Sequence, residues 1–327
     1  MATISKRGQV WQARVRRKGF PAEFKTFLTK TEALRWSQVI ESEMNRGLYL
    51  SRSEAERTTF EEILDRYMKE VSPHKRSGAD EIIRLKAMKR HRMSKLSMVA
   101  MTATVLSEFR DDRLQSCAAS TVVRELGMLS SVFNHCIREW RMPIHNPISQ
   151  IKKPPMPRGR DRILSIEEEN RLLDALEPTD RRNIYMKPLA IVAIESAMRR
   201  GELLKLKWVD VDLKNRTATL YLTKNGEDRM VPLSTRAVKT LSEMPRSIGG
   251  LVFPIKAASV SAAFHKSRVR AQLPDVHFHD LRHTATTRLA EKLTNILELS
   301  AVTGHKDLRM LKRYYHPKAS DLALKIG

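Results

Sequence analysis

Between His277 and His316 the chain gathers the side chains that phosphodiester chemistry uses. The stretch opens His277-Phe278-His279-Asp280-Leu281-Arg282-His283, reaches Gly304-His305, and ends Lys312-Arg313-Tyr314-Tyr315-His316-Pro317. A guanidinium offers two parallel donors to phosphate oxygens, an imidazole holds or moves a proton, and a phenol attacks once its proton is taken. Upstream, Ser196-Ala197-Met198-Arg199-Arg200-Gly201-Glu202 lies between two expected helices, so Arg199 can project from an apolar core with Glu202 to hold an arginine. Arg199 and Arg282 together would neutralise charge growing on a pentacoordinate phosphorus. Lys224, beside a turn, could give a proton to a departing sugar oxygen. His279 and Arg282 are three apart, share a helix face and are expected to point into one site. His305 follows Gly304 at an expected helix start, and Tyr314 lies nine residues on. A phenol with a pKa near ~10 needs help to attack: cations around the phosphate favour its anion, and a nearby His can take the proton.

The same histidines admit a metal reading, in which His279 and His283 at i,i+4 are joined by His277, His305 and His316. Against it, neither His opens an H-E-x-x-H pattern, no Cys is near, and the interleaved arginines repel a cation. No metal and no cofactor are expected.

Charge points to the partner. The 327 residues hold 60 Lys and Arg against 37 Asp and Glu, a net charge of +23 that calls for a polyanion such as double-stranded DNA. Cys117 and Cys136, read as lying on one helical face, fit neither a metal knuckle nor a redox pair and are expected to be reduced core thiols. No apolar run approaches the roughly 18 residues of a membrane span, and the N-terminus lacks a signal-peptide stretch. A cytoplasmic, nucleoid-associated protein is expected.

The elements that must position these groups follow in order. Gln9 to Arg16 and Glu23 to Phe27 alternate apolar and polar residues, giving a hairpin or three-stranded sheet with one apolar and one cationic face. Thr29 with Glu32 forms a capping box, and Ala33, Trp36, Ile40 and Met44 keep helical spacing beneath that sheet. Arg46 to Arg57 reads as a linker. A second box, Thr59 with Glu62, opens a compact domain of about four helices, which Pro143 and Asn146-Pro147 end. Lys152 to Arg160, with three prolines, is an extended cationic strap between lobes that could close around a duplex. The third domain starts at Ser165 with Glu168. It is mostly helical, with Thr217–Leu222 and Arg229–Leu233 as strands around Asn225-Gly226. The fold class is therefore mainly α with small β elements (α+β), in domains 1–50, 58–153 and 160–327.

Over residues 160–317 these motifs resemble one family. Ala197-Met198-Arg199-Arg200-Gly201-Glu202-Leu203, Lys224 before Val231-Pro232-Leu233, His279-Asp280-Leu281-Arg282-His283, Gly304-His305 and Tyr314 occur in the order and spacing of the tyrosine recombinases, the phage-integrase family. Residues 58–153 look like that family's core-site-binding domain, and 1–50 like the arm-binding module of integrases from phages and genomic islands. The resemblance implies that Tyr314 attacks a DNA phosphate to give a 3′-phosphotyrosyl link and a free 5′-hydroxyl, which then attacks the partner duplex. Arg199 and Arg282 would bind the phosphate with His305 as a further donor, Lys224 would be the general acid, and His279 a general acid or base. The bond energy stays in the ester, so neither ATP nor metal is needed. Implied partners are attachment-site DNA, three further copies in a homo-tetramer with Pro317–Gly327 exchanged between them, and room for a DNA-bending accessory protein. The family's usual Thr-Gly is Ser196-Ala197 here, and only the spacing from His305 selects Tyr314 over Tyr315. Alternatives are a shufflon-type invertase of the same family, a type IB topoisomerase-like enzyme, disfavoured by the arm-like module, and a non-catalytic DNA-binding regulator, disfavoured by the complete reactive set.

Overall fold

A computed structural model describes residues 2–46, 53–157, 159–178, 183–221, 228–293, 295–315, 323 and 326. The chain divides into two compact units, Met1–Arg158 and Gly159–Gly327. It is mainly α-helical with two small antiparallel sheets, as the hydropathy patterns predict.

In the first unit, strands β1 (Ala2–Arg7), β2 (Val10–Val15) and β3 (Glu23–Phe27) pair in that order. Period-two alternation sends Ala13 and Val15 inward and leaves Thr3, Ser5, Arg14, Phe24 and Thr26 exposed. Arg14 stands directly across from Phe24 in the register, so the open face carries an aromatic as well as cations. Helix α1 (Lys30–Asn45) starts at the Thr29/Glu32 capping box and buries Ala33, Ile40 and Met44; Ile40 and Met44 pack with Val15. The expected linker is partly helical. Helix α2 (Ser53–Arg57) buries Ala55 in the next core, while 47–52 lie outside the described residues.

The core of residues 58–153 is built by helices α3 (Phe60–Glu70), α4 (Gly78–Lys89), α5 (Ala103–Leu114) and α6 (Ala119–Arg138). The Thr59/Glu62 box starts α3 at the residue whose ring becomes the centre of the core: Phe60 stacks on Phe133 of α6 at 5.4 Å and 7°. Cys136 is buried on α6, and burial pushes its thiol up to about 12, whereas Cys117 precedes that helix. The two cysteines therefore do not share a helical face, because the chain turns between them. Part of the cationic run 73–95 is neutralised within the unit, where Lys75 pairs with Glu81, Lys89 with Asp65 and Glu61, and Arg92 with Glu108.

The second unit begins with α7 (Ile166–Ala175), started by the Ser165/Glu168 box. Its centre is α8 (Met186–Ser196), apolar nearly all round, which packs against α10 (Thr235–Ser242), α11 (Ala257–Arg270) and α12 (Phe278–Lys292). A short helix α9 (Arg200–Leu203) follows α8, and β4 (Val211–Asp212), β5 (Thr217–Leu220) and β6 (Arg229–Pro232) form the second sheet. Helix α13 (Ile296–Thr303) lies near β6 and α12. The turn with Lys224 and Asn225-Gly226 lies outside the described residues, as does His316 and nearly all of Pro317–Gly327. Among the described residues no helix is long and apolar enough to cross a membrane.

The stacked pair and the cap that delivers it separate two energy scales. Phe133→Ala should cost about 3–5 kcal/mol and Thr59→Ala about 1 kcal/mol, read as shifts of the urea midpoint. Equal losses would mean that the ring stack is not the centre of that core.

Candidate functional site

Helix α8 ends because Ala197 takes the left-handed conformation, φ +53°, and the chain restarts as α9 from an extended Arg199. This is the position of the family's usual glycine, which adopts that conformation without the steric cost a Cβ brings. Two consequences follow. The Ala197 carbonyl is freed to accept from Arg282 Nη1, and Arg199 is aimed back along the helix end. Glu202 holds it there, taking the Arg199 backbone N–H and Nη1, each at 2.8 Å.

A third arginine completes the cluster. Arg229, at the start of β6, donates Nη2 to Glu202 at 2.8 Å and Nη1 to the Thr303 carbonyl at 2.6 Å. Arg282 donates Nη2 to the same carbonyl at 2.7 Å, and Arg199 Nη2 reaches the Gly304 carbonyl at 3.2 Å. The three cations thus share the carbonyl end of α13, the negative pole of that helix, and two of them share the Glu202 carboxylate. Gly304 ends α13 at φ +69°, and a Cβ there would run into the Arg229 guanidinium. His305 consequently stands just after a helix C-terminus, not at a helix start: glycine stops the helix by adopting the left-handed conformation.

Charge in the cluster is under-balanced. Burial, and then the guanidinium charges of Arg199 and Arg229, push Arg282 down to about 9, still protonated at neutral pH. Burial also lowers Arg229, with Glu202 opposing and Arg199 adding to the shift. The Arg229 Nε is buried with no hydrogen-bond partner among the described residues.

Hydrogen bonds assign the His305 tautomer. The Thr303 hydroxyl donates to the Leu299 carbonyl at 2.7 Å, so its oxygen accepts from His305 Nδ1–H at 2.7 Å. His305 Nε2 is then an acceptor, facing Arg282 Nη2 at 3.3 Å. Burial, with Arg282, Arg199 and Arg229 next, pushes His305 down to about 3.

Tyr314 joins the cluster from the far side. Its ring lies 6.5 Å from that of His305 and its hydroxyl is hydrogen-bonded to His283 Nδ1. Burial raises the phenol, while Arg313 and Arg282 pull the other way. Arg282 and His279 diverge on α12: Arg282 is 4% exposed, whereas His279 is exposed and meets the cluster through His283, edge to face at 5.0 Å. A turn of helix separates neighbours at i,i+4 less than the i,i+3 pair here, so His283 shares the His279 face. His279 also lines a groove with Arg200, Arg268 and His277.

Two further residues tie the site to the start of its unit. Asp280 is fully buried and accepts the His277 N–H at 2.7 Å and Arg160 Nε and Nη2, each at 2.8 Å. Arg313, beside Tyr314, donates to the Arg160 carbonyl at 2.6 Å. Of the residues that the sequence marks for chemistry, Arg199, Arg282, His305 and Tyr314 come together; Lys224 lies outside the described residues. The sequence reading gives Arg229 no role and gives His283 only that of a candidate metal ligand beside His279. The signal for Arg229 was a charge opening an otherwise apolar strand, and for His283 its i,i+4 spacing from His279.

Residues 162–321 match the Phage integrase family, and residues 56–154 match the Phage integrase N-terminal domain. The chain is 38% identical to a Shufflon-specific DNA recombinase of Escherichia coli over 272 residues, 80% of this chain and 70% of that protein. It is 33% identical to a Putative integrase/recombinase of Haemophilus influenzae over 340 aligned positions, 99% of this chain and 88% of that protein. Its fold is similar to lambda integrase, solved as a tetramer bound to a Holliday junction, with a TM-score of 0.67 at 19% identity over 96% of this chain and 94% of that one. The chain belongs to the phage integrase family, the tyrosine recombinases, and is an enzyme of site-specific recombination that breaks and rejoins DNA.

Proposed function

We propose that Tyr314 is the nucleophile of this recombinase and that the arginine cluster receives the scissile phosphate. The observation that carries the reading is three guanidiniums gathered at the carbonyl end of α13, with one carboxylate holding two of them and a phenol nearby. A phosphate diester brings the missing negative charge, and Arg199 and Arg282 stabilise the further charge that develops as phosphorus becomes pentacoordinate. His305 enters as an acceptor at Nε2. The arriving anion raises its pKa, and protonation there turns it into a donor to a phosphate oxygen. Lys224 serves as the acid for the departing 5′-oxygen, and His279 assists from the groove side. The product is a 3′-phosphotyrosyl ester, which the 5′-hydroxyl of a partner strand reverses. No step calls for ATP or a metal.

In this reading residues 1–50 bind arm-type sites, 58–153 bind the core site, and 160–327 catalyse. The exposed basic face with Arg14 and Phe24 supports the first assignment. Four protomers act on two duplexes, a stoichiometry supported by the lambda integrase tetramer, and a DNA-bending protein assists in the cytoplasm. The chemistry serves integration or excision of a mobile element. The 38% identity to a shufflon recombinase favours a second reading, inversion between sites in inverted repeat. A plasmid carrying candidate sites in direct or inverted orientation separates them by yielding deletion or inversion.

The nucleophile is tested with a nicked suicide duplex in EDTA. Wild type and Tyr315→Phe should give a protein–DNA band on a denaturing gel and Tyr314→Phe none; a band that persists in Tyr314→Phe rejects the assignment. Arg199→Ala should slow cleavage by about 10²–10³-fold while retaining most DNA binding, and parallel loss of both would count against its role.

Both cluster imidazoles have folded-state pKa values below their ordinary one, His283 to about 4 and His305 to about 3. The unfolded chain therefore takes up protons first, and stability present above the ordinary value is lost as pH falls. Melting temperature should drop between about pH 6.5 and about pH 5, above the carboxylate range. The drop should shrink in His305→Gln; an unchanged slope there would exclude His305 as a source.

A further inference from the structure

We propose that His283 is a catalytic residue: its Nδ1 takes the proton of Tyr314 Oη as the phenol attacks, and returns it when the strand is rejoined. The inference rests on Tyr314 being the nucleophile.

Among the described residues, the imidazoles of His279, His283 and His305 neighbour this phenol or one another. His305 has Nδ1 engaged by Thr303 and Nε2 by Arg282, so the described network commits both nitrogens. His279 meets the edge of His283, 5.0 Å between ring centres, and is exposed. Among the described residues, His283 Nδ1 is the nitrogen bonded to the Tyr314 hydroxyl, with the two rings 5.8 Å apart and near parallel at 28°. Both partners are held. His283 sits mid-helix on α12, directly after buried Arg282, and Tyr314 packs with buried Leu299 and Leu311 and closes a turn from its N–H to the Leu311 carbonyl at 2.9 Å. General-base catalysis requires this hydrogen-bond reach before any question of pKa arises.

The charged and titratable groups facing His283 are His279, Asp280 and Arg282 on α12, Arg313 and Tyr314 on the C-terminal turn, and His305 after α13. Burial first, then His279 and Arg313, hold its pKa down at about 4, so the ring is neutral and able to accept at neutral pH. A base this weak does not ionise a resting phenol. It accepts in concert with attack, when the forming O–P bond makes the phenolic proton acidic and the phosphate's charge raises the basicity of the ring.

The step balances. The Oη–P bond forms, the P–O5′ bond breaks, the phenolic proton moves to His283 Nδ1, and the departing 5′-oxygen takes a proton from a separate acid, the role proposed for Lys224. Rejoining runs the same transfers backward.

The test is single-turnover cleavage of the suicide duplex by full-length His283→Asn, whose amide can hold the hydroxyl but cannot keep its proton. Cleavage should slow by about 10²–10⁴-fold with DNA binding and circular dichroism unchanged. Replacing the departing 5′-oxygen by sulfur, which leaves without a proton, should not restore the rate. A more acidic fluorotyrosine at position 314 should restore it, by at least about tenfold more in His283→Asn than in wild type. Wild-type or faster cleavage by His283→Asn overturns the proposal, since the contact would then only park the phenol. Rescue by sulfur, or an equal fluorotyrosine effect in both proteins, overturns it as well. Should His283→Asn fail to fold, His283→Gln undergoes the same three assays. Covalent product from Tyr314→Phe would remove the nucleophile assignment and this role together, whereas the outcomes above remove only His283.

Discussion

The C-terminal end of α13 is what the site depends on. Its last carbonyls, from Thr303 and Gly304, accept from three guanidiniums that arrive from three separate elements, and Glu202 binds two of the same three. Like charges held this close repel unless a negative group lies between them, and a helix C-terminus with one carboxylate supplies only part of that. Burial first, and then repulsion from Arg199 and Arg229, lowers the pKa of Arg282. A site in this condition is built for an anion, and the protein's fold supplies the energy that keeps the cations together before the anion arrives.

The same excess of positive charge sets the protonation states around it. It adds to burial, the larger cause, in keeping His283 and His305 neutral, each with one nitrogen able to accept. It also opposes the burial that raises Tyr314. In the proposed reaction an anion that changes this field would therefore act on phosphate binding and proton transfer together.

Local signals made much of this legible. The three capping boxes at Thr29, Thr59 and Ser165 form as their sequences predict, because each is closed within four residues. The Arg199–Glu202 pair was readable for the same reason. What was not readable joins distant residues. Arg229 meets Thr303 across 74 positions and Arg160 meets Asp280 across 120, separations over which sequence periodicity carries no information. Gly304 was readable in principle, since glycine after an apolar helical run marks an end, but the reactive histidine beside it drew the reading toward a helix start. The divergence of His279 from Arg282 follows from α12 burying its Arg282 side, which spacing alone does not show.

Arg313 bonds to the backbone at Arg160 although 153 residues separate them. The segment around Arg313 therefore returns to where the second unit begins, and the two are hydrogen-bonded neighbours. For the phenol at position 314 it means that its position is referenced, through the residue before it, to the opening segment of the same unit.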